Sequence, residues 1–396
     1  MKVRIILLIF LFIATGLISI HGCKEPASEE RQHRKEEVPL GEISALPLTY
    51  KDPANNPTTP AKIELGRLLF YDPILSGKKD VSCASCHHPE FGYAESLQVS
   101  IGVNGRGLGE KRIFSMPNDI PFTKRNSQTL LNTAFNGIDT YGNYVPEEAP
   151  MFWDLRALSL EAQALKPIMQ LEEMRGRERG DSVAVSDIIQ RLRNIPVYSR
   201  LFQEAFKEEQ PVNELNLGKA LASFQRSLVA NNSRFDQYMR GDSRAMTSSE
   251  LEGMDLFIKS GCARCHSGPM LSDFKPHVMG VRDNEKVTGI DSGFENSFAF
   301  RTPTLRNLRF TRPYMHSGKL KTLEDVLTFY EDLKGNEVPN PHVHRGQLDP
   351  LATSVKLDFR NISRIVEFLH SLNDSKYDRM IPASVPSGLP VGGNIN

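Results

Sequence analysis

Hydrophobic and polar positions divide the chain into short amphipathic stretches separated by segments without periodicity. Residues 5–20 form an almost wholly apolar run behind the basic start Met1-Lys2-Val3-Arg4. The run is too short for a comfortable membrane span and predicts a secretory signal peptide over residues 1–22. Residues 23–46 are charged and aperiodic, carrying Glu25, Glu29, Glu30, Arg31, Arg34, Lys35, Glu36 and Glu37, and read as a solvated tether. Residues 52–60 hold three prolines and stay extended, after which Thr59-Pro60 opens a helix predicted to run to Phe70. Further helices are expected over residues 159–165, 186–194 and 215–229, the last with Leu217, Leu221, Phe224 and Leu228 on one face. Residues 231–242 read as a polar connection and mark a domain boundary. Thr247-Ser248-Ser249-Glu250 is a capping box, and its helix carries Leu251, Met254, Phe257 and Ile258. Thr322 caps a helix whose inner face is Leu323, Val326, Leu327 and Tyr330, and a last helix spans residues 361–372. Strand signals are scarce. The expected fold is mainly α: two cytochrome c-like domains over residues 47–235 and 236–380, then a tail over 381–396.

Two five-residue stretches change the picture. Cys83-Ala84-Ser85-Cys86-His87 and Cys262-Ala263-Arg264-Cys265-His266 are both C-x-x-C-H, the attachment motif of c-type haem. Two thiols one turn apart add to the two vinyl groups of the porphyrin, and the adjacent His binds iron from the proximal side. A zinc site would not require a His directly after each Cys pair. A thioredoxin-like redox pair would need no His and would occur once. The motifs therefore predict two covalent haems, with His87 and His266 as iron ligands.

Composition narrows the setting. The formal net charge of zero implies no polyelectrolyte partner and argues against nucleic acid. Five cysteines occur, four of them in the haem motifs, so no structural disulfide is available. The fifth, Cys23, follows Ile20-His21-Gly22 and resembles a bacterial lipobox, which predicts a lipid anchor on an exported, periplasmic protein. The alternative is ordinary cleavage and a soluble periplasmic chain. Residues 89–150 form a long segment rich in Gly and Asn, poor in helix signal and devoid of His. A loop of this length is functional or wrapped on a scaffold.

Several blocks besides the motifs carry a resemblance. Glu64-Leu65-Gly66-Arg67-Leu68-Leu69-Phe70-Tyr71-Asp72 precedes the first motif. Phe152-Trp153-Asp154-Leu155-Arg156-Ala157 and Ser159-Leu160-Glu161-Ala162-Gln163 follow the long loop. Thr302-Pro303-Thr304-Leu305-Arg306-Asn307 and Pro313-Tyr314-Met315-His316-Ser317-Gly318 follow the second motif. From about Leu65 to Leu372 the chain resembles the bacterial di-haem cytochrome c peroxidase family, and within it the MauG-type subgroup.

The resemblance implies roles one position at a time. Gln163, Pro167 and Glu173 fall where the family lines the open face of the first haem, and Trp153 where a Trp lies between the haems. Asn126, Thr311 and Pro313 fall where a calcium ion is held, the last two through backbone carbonyls. Tyr330 falls where peroxidases place a Met ligand to the second iron and MauG-type members a Tyr; Met315 is the competing candidate. Many members carry a His in the loop after the first motif that ligates the resting first iron. Its absence here implies a first haem that stays five-coordinate. Some MauG-type enzymes have a Trp just before the second motif for electron exchange with a protein substrate, and here that position is Ser260. The implied activity is reduction of hydrogen peroxide at the first haem, with electrons from a small cytochrome c or another periplasmic donor passing through the second. Oxidation of a protein side chain and non-enzymatic electron carriage by two haems are the alternatives.

Overall fold

The computed structural model describes residues 42–335 and 337–395. The signal peptide and Cys23 lie outside them. Helices α1 (Pro60–Tyr71), α2 (Leu160–Met169), α3 (Asp181–Arg193), α4 (Pro196–Phe206) and α5 (Glu214–Ser227) occupy the first half. Helices α6 (Arg234–Met239), α7 (Ser248–Lys259), α8 (Leu323–Asp332), α9 (Pro350–Thr353) and α10 (Ile362–Ser371) occupy the second. Strands are confined to three short antiparallel hairpins: β1 (Gly105–Arg106) with β2 (Ile113–Phe114), β3 (Pro150–Met151) with β4 (Ala157–Leu158), and β5 (Pro276–Val278) with β6 (Ala299–Arg301). The mainly helical expectation matches this content.

Local chemistry sets the helix starts. The Thr59 side chain accepts from the Lys62 amide, with Pro60 at the first helical position of α1. Thr247 with Glu250 and Thr322 with Asp325 form reciprocal capping boxes on α7 and α8. Each helix that leads into a haem motif crosses a later helix at a glycine. Gly66 of α1 lies against the Ala220 carbonyl of α5, and Gly253 of α7 against the Arg364 carbonyl of α10. Neither has room for a Cβ, so glycine sets both crossings.

Two main apolar clusters result. One gathers Leu65, Leu69, Phe70, Leu217, Leu221 and Phe224 beside Cys83. The other gathers Phe235, Phe257, Leu327, Ile365, Phe368 and Leu369 beside Cys262. Burying each such side chain contributes about 1.5–3 kcal/mol.

Several expectations need correction. The tether reading fails at its C-terminal end, because Ile43 and Leu46 are buried. The Gly268 amide donates to the Glu42 carbonyl, and the Leu46 amide to Asp236 Oδ1 (2.9 Å). The polar connection over residues 231–242 contains α6, started by a Ser233–Asp236 capping box and anchored by the fully buried Phe235. Helix α2 runs beyond residue 165, through Pro167, to Met169. Helix α3 begins at Asp181, ahead of the predicted Ser186, and α4 was not anticipated. The segment after α10 returns to the first half. Tyr377 and Val385 join the cluster beside Cys83, the Gly392 amide donates to the Tyr71 carbonyl (2.7 Å), and Ser387 Oγ donates to Asp72 (2.6 Å).

Candidate active site

Both C-x-x-C-H stretches fold the same way. Each Cys-x-x forms a single tight turn, Cys83–Ser85 or Cys262–Arg264. The His87 amide donates to the Cys83 carbonyl (2.9 Å) and the His266 amide to the Cys262 carbonyl (3.0 Å). His87 Nδ1 donates to the Tyr93 carbonyl at 3.0 Å, and His266 Nδ1 donates to the Leu271 carbonyl at 3.0 Å. That bond assigns the proton to Nδ1 and leaves Nε2 with its lone pair, the tautomer an iron ligand requires. Burial pushes His87 down to about 4 and lowers His266 too, so both rings are neutral at ordinary pH.

A cavity of about 590 Å³ runs past both turns and is lined by Cys83, Cys86, His87, Cys262, Cys265 and His266. Burial pushes the Cys83 and Cys262 thiols up to about 12. Thiol pairs, neutral imidazoles and an apolar wall fit a haem at each turn.

The other faces of the cavity differ. Glu173 sits on a single wide π turn, Leu171–Arg175, directly after α2. Such turns recur at functional sites. The turn is held by the long loop: the Val103 amide donates to the Glu173 carbonyl at 3.0 Å. Gly102 abuts the Glu172 and Glu173 carbonyls so closely that no side chain fits there. Burial pushes the Glu173 carboxyl up to about 7; Arg156 opposes this and Glu172 reinforces it. It lies within electrostatic reach of both Cys83 and Cys86, on the cavity that the first motif lines. Gln163 and Pro167, one turn apart on α2, line the same cavity, and Gln163 Oε1 is buried without a hydrogen-bond partner. An orphaned acceptor beside a near-neutral carboxyl suits a small polar ligand.

Over the second motif the wall is apolar. Leu323, Val326, Leu327 and Tyr330 line the cavity from α8, together with Met315 and Met279. Burial, reinforced by the nearby Cys262 and Cys265, raises the Tyr330 phenol above its usual range. Met315 packs in the same apolar group as Tyr330.

Trp153 forms part of the wall common to both motifs. Its Nε1 donates to the Asn126 carbonyl at 3.0 Å, and its ring meets His316 edge-on at 6.4 Å. Asn126, Thr311 and Pro313 all line the cavity. The Asn126 Nδ2 donates to the Leu97 carbonyl (2.9 Å) and the Gln98 carbonyl (3.3 Å), which turns its Oδ1 to the other side.

Sequence reasoning passed over three residues here. His316 is buried and stacked on Phe300 at 3.5 Å. Arg156 lies 3.6 Å over the Phe152 ring and bonds Asp154 at 2.8 Å. Arg301 is buried in the cavity wall. All three lie in or beside blocks singled out in the sequence, but nothing in one dimension separates a cavity-facing Arg from a surface one.

The profile described as di-haem cytochrome c peroxidase matches residues 60–244. The methylamine utilization protein MauG of Methylorubrum extorquens is 36% identical over 296 residues, 74% of each chain. A cytochrome-c peroxidase of a Pseudomonas species is 30% identical over 377 residues, covering 85% of this chain and 86% of its own. Among solved structures, a MauG-like protein associated with microbial copper homeostasis superimposes with a TM-score of 0.66 at 26% identity, covering 83% of this chain and 95% of that one. With relatives of this identity and coverage, the chain belongs to the di-haem cytochrome c peroxidase family.

Proposed function

We propose that the protein reduces hydrogen peroxide to water at the first haem, drawing electrons through the second. The carrying observation is Glu173: a buried carboxyl poised at about 7 that lines one cavity with the unpartnered Gln163 Oε1 and with His87. Haem bound at both turns supplies an iron centre for peroxide and a store of electrons. Glu173 takes the proton from the inner peroxide oxygen and returns it to the outer one as that oxygen leaves. Gln163 accepts a hydrogen bond from peroxide and orients it. Pro167 lines the same wall from α2. Two protons and two electrons per peroxide balance two waters. Trp153 stands in the wall common to both sites and serves electron exchange between them.

The finer assignments belong to the same proposal. Tyr330 would ligate the second iron, supported by its place on the cavity wall and in the field of Cys262 and Cys265. Calcium is held by Asn126 Oδ1 and the Thr311 and Pro313 carbonyls, which line one cavity. Residues 47–235 and 236–380 form two cytochrome c-like units, each supplying most of one main apolar cluster, with Tyr377 crossing to the first. The donor is a small cytochrome c, and the protein works in the periplasm, lipid-anchored through Cys23. Steady peroxide turnover with a small cytochrome c as reductant tests the activity. Cyanide binding to one haem alone, against neither, separates an enzyme from an electron carrier.

A second reading is MauG-like oxidation of a protein side chain, favoured by the 36% identity to MauG. Ser260 weighs against it. It is buried, with its carbonyl accepting from the Lys356 amide at 2.9 Å, and it offers no aromatic ring to a docked substrate.

A further inference from the structure

Among the cations of the cavity wall, Arg301 lacks a carboxylate. Arg125 bonds Asp291 at 2.6 Å and Asp154 at 2.7 Å, and Arg156 bonds Asp154 at 2.8 Å. Lys124 is exposed. Other buried arginines of the described chain are also answered: Arg67 by Asp378, Arg226 by Glu161 and Arg306 by Asp236, at 2.8, 2.8 and 2.9 Å. Arg112 is held by three backbone carbonyls and lies in the field of the buried Glu95.

Arg301 is 6% exposed. Its Nε donates to the Phe152 carbonyl at 2.9 Å, and its Nη2 to Gln128 Oε1 at 3.2 Å. Those neutral acceptors use two of the guanidinium's five N–H bonds. Burial alone drags the group down to about 10, with no acidic neighbour opposing it. A guanidinium taken out of water without a counter-charge is unfavourable, and buried charges are paired in folded proteins. The cavity must therefore bring the anion with its occupant.

Its place is the seam of the two haem sites. Gln128 adjoins Ser127, whose Oγ lies 3.3 Å from His87 Nδ1. On the other side, Arg301 is two residues from Pro303, whose carbonyl faces His266. Haem is a dicarboxylate, with both propionates on one edge of the ring.

We propose that Arg301 is a propionate anchor: its guanidinium forms a bidentate pair with a haem propionate at this seam. The assignment rests on the family's two haems. It also ties cofactor charge to Trp153, because the Arg301 amide donates to the Trp153 carbonyl (2.7 Å) while its side chain holds Phe152, a non-glycine residue at φ +66°. Arg301 is thus a positioning residue for both.

The test is redox titration of holo-protein carrying Arg301→Gln, Arg301→Lys and, as a neutral-contact control, Gln128→Ala. Pyridine haemochrome assay first establishes that two haems remain attached, which checks the haem reading independently. Arg301→Gln is expected to lower the midpoint potential of one haem, because the lost cation favoured the reduced form. The deficit should widen as pH rises, since the unpaired propionate is protonated at low pH and ionised at high pH. Arg301→Lys should restore most of the potential, and Gln128→Ala should leave it near wild type. Unchanged potentials for both haems in Arg301→Gln would overturn the assignment and leave Arg301 a backbone clamp. Should that variant not accumulate, infrared difference spectra of wild-type protein with isotope-labelled propionates decide. Ionised carboxylates alone at neutral pH support the pair, and a protonated propionate band rejects it.

Discussion

The surroundings of the two haem turns are alike on one side and opposed on the other. His87 and His266 are set by the same turn, the same Nδ1-to-carbonyl bond at 3.0 Å and the same burial. Across the cavity, the first turn faces Glu173, Gln163 and Pro167, whereas the second faces Leu323, Val326, Leu327 and Tyr330. One face offers an acid near neutrality and an unpartnered acceptor; the other offers aliphatic surface and a phenol. The shared turn geometry is thus generic to C-x-x-C-H, while the proposed division into a site open to a small polar molecule and one closed against it depends on the residues across the cavity.

The largest expected break in this contrast is Glu173→Gln. Both haems should remain attached while peroxide turnover falls roughly 10²–10⁴-fold, the scale of general acid–base catalysis; an undiminished rate returns Glu173 to a structural part. In wild type the carboxyl must be ionised to accept the first proton, so kcat/KM should fall as pH drops through about 7. Stability runs the opposite way. A carboxyl raised from 4.5 to about 7 by burial favours folding below 4.5 and loses that contribution as pH rises through 7. Thermal denaturation of Glu173→Gln across this window should show a flatter pH dependence.

Next comes the closed face. Tyr330→Phe should turn the second ferric haem high-spin or recruit a substitute ligand, while Met315→Leu should leave its absorption and EPR spectra almost unaltered. The reverse pattern would make Met315 the ligand. A smaller effect is expected in the common wall. Phe at position 153 keeps an aromatic ring but loses the donor to the Asn126 carbonyl, so electron exchange between the haems should slow with both haem spectra retained. Stopped-flow reduction that remains as fast as in wild type would make Trp153 packing alone.

The smallest effect compares the turns themselves. Ser85 Oγ donates to the Gly392 carbonyl at 3.0 Å in a buried site, whereas Arg264, its counterpart, bonds Ser354 Oγ at 3.0 Å in an exposed one. Ser85→Ala should cost about 1 kcal/mol in denaturant unfolding. Arg264→Ala should stay within about 0.5 kcal/mol of wild type.

The limits of legibility follow physical lines. Thr59, Thr247 and Thr322 were readable as helix starts because a cap satisfies amides three residues away, within the reach of sequence. Helix α6 was missed because its polar residues resemble a linker; Asp236 is polar so that it can meet Arg306, seventy positions on. The tether was extended too far because Ile43 and Leu46 are two apolar residues after a charged run, and only the surface on which they land makes them core.

By itself, the sequence determined two C-x-x-C-H turns, the histidine that closes each, a His-free loop after the first turn and a mainly helical frame, since each depends on chemistry between near neighbours. The tertiary structure alone decided what each turn faces. It wedged the Glu173 turn against Gly102 and desolvated its carboxyl to about 7. It set Trp153 on the Asn126 carbonyl, brought the C-terminal segment back to Ser85, and buried Arg301 without a carboxylate. Burial and pairing across long separations are properties of packed surfaces, and a charge acquires its function from the groups that replace its water.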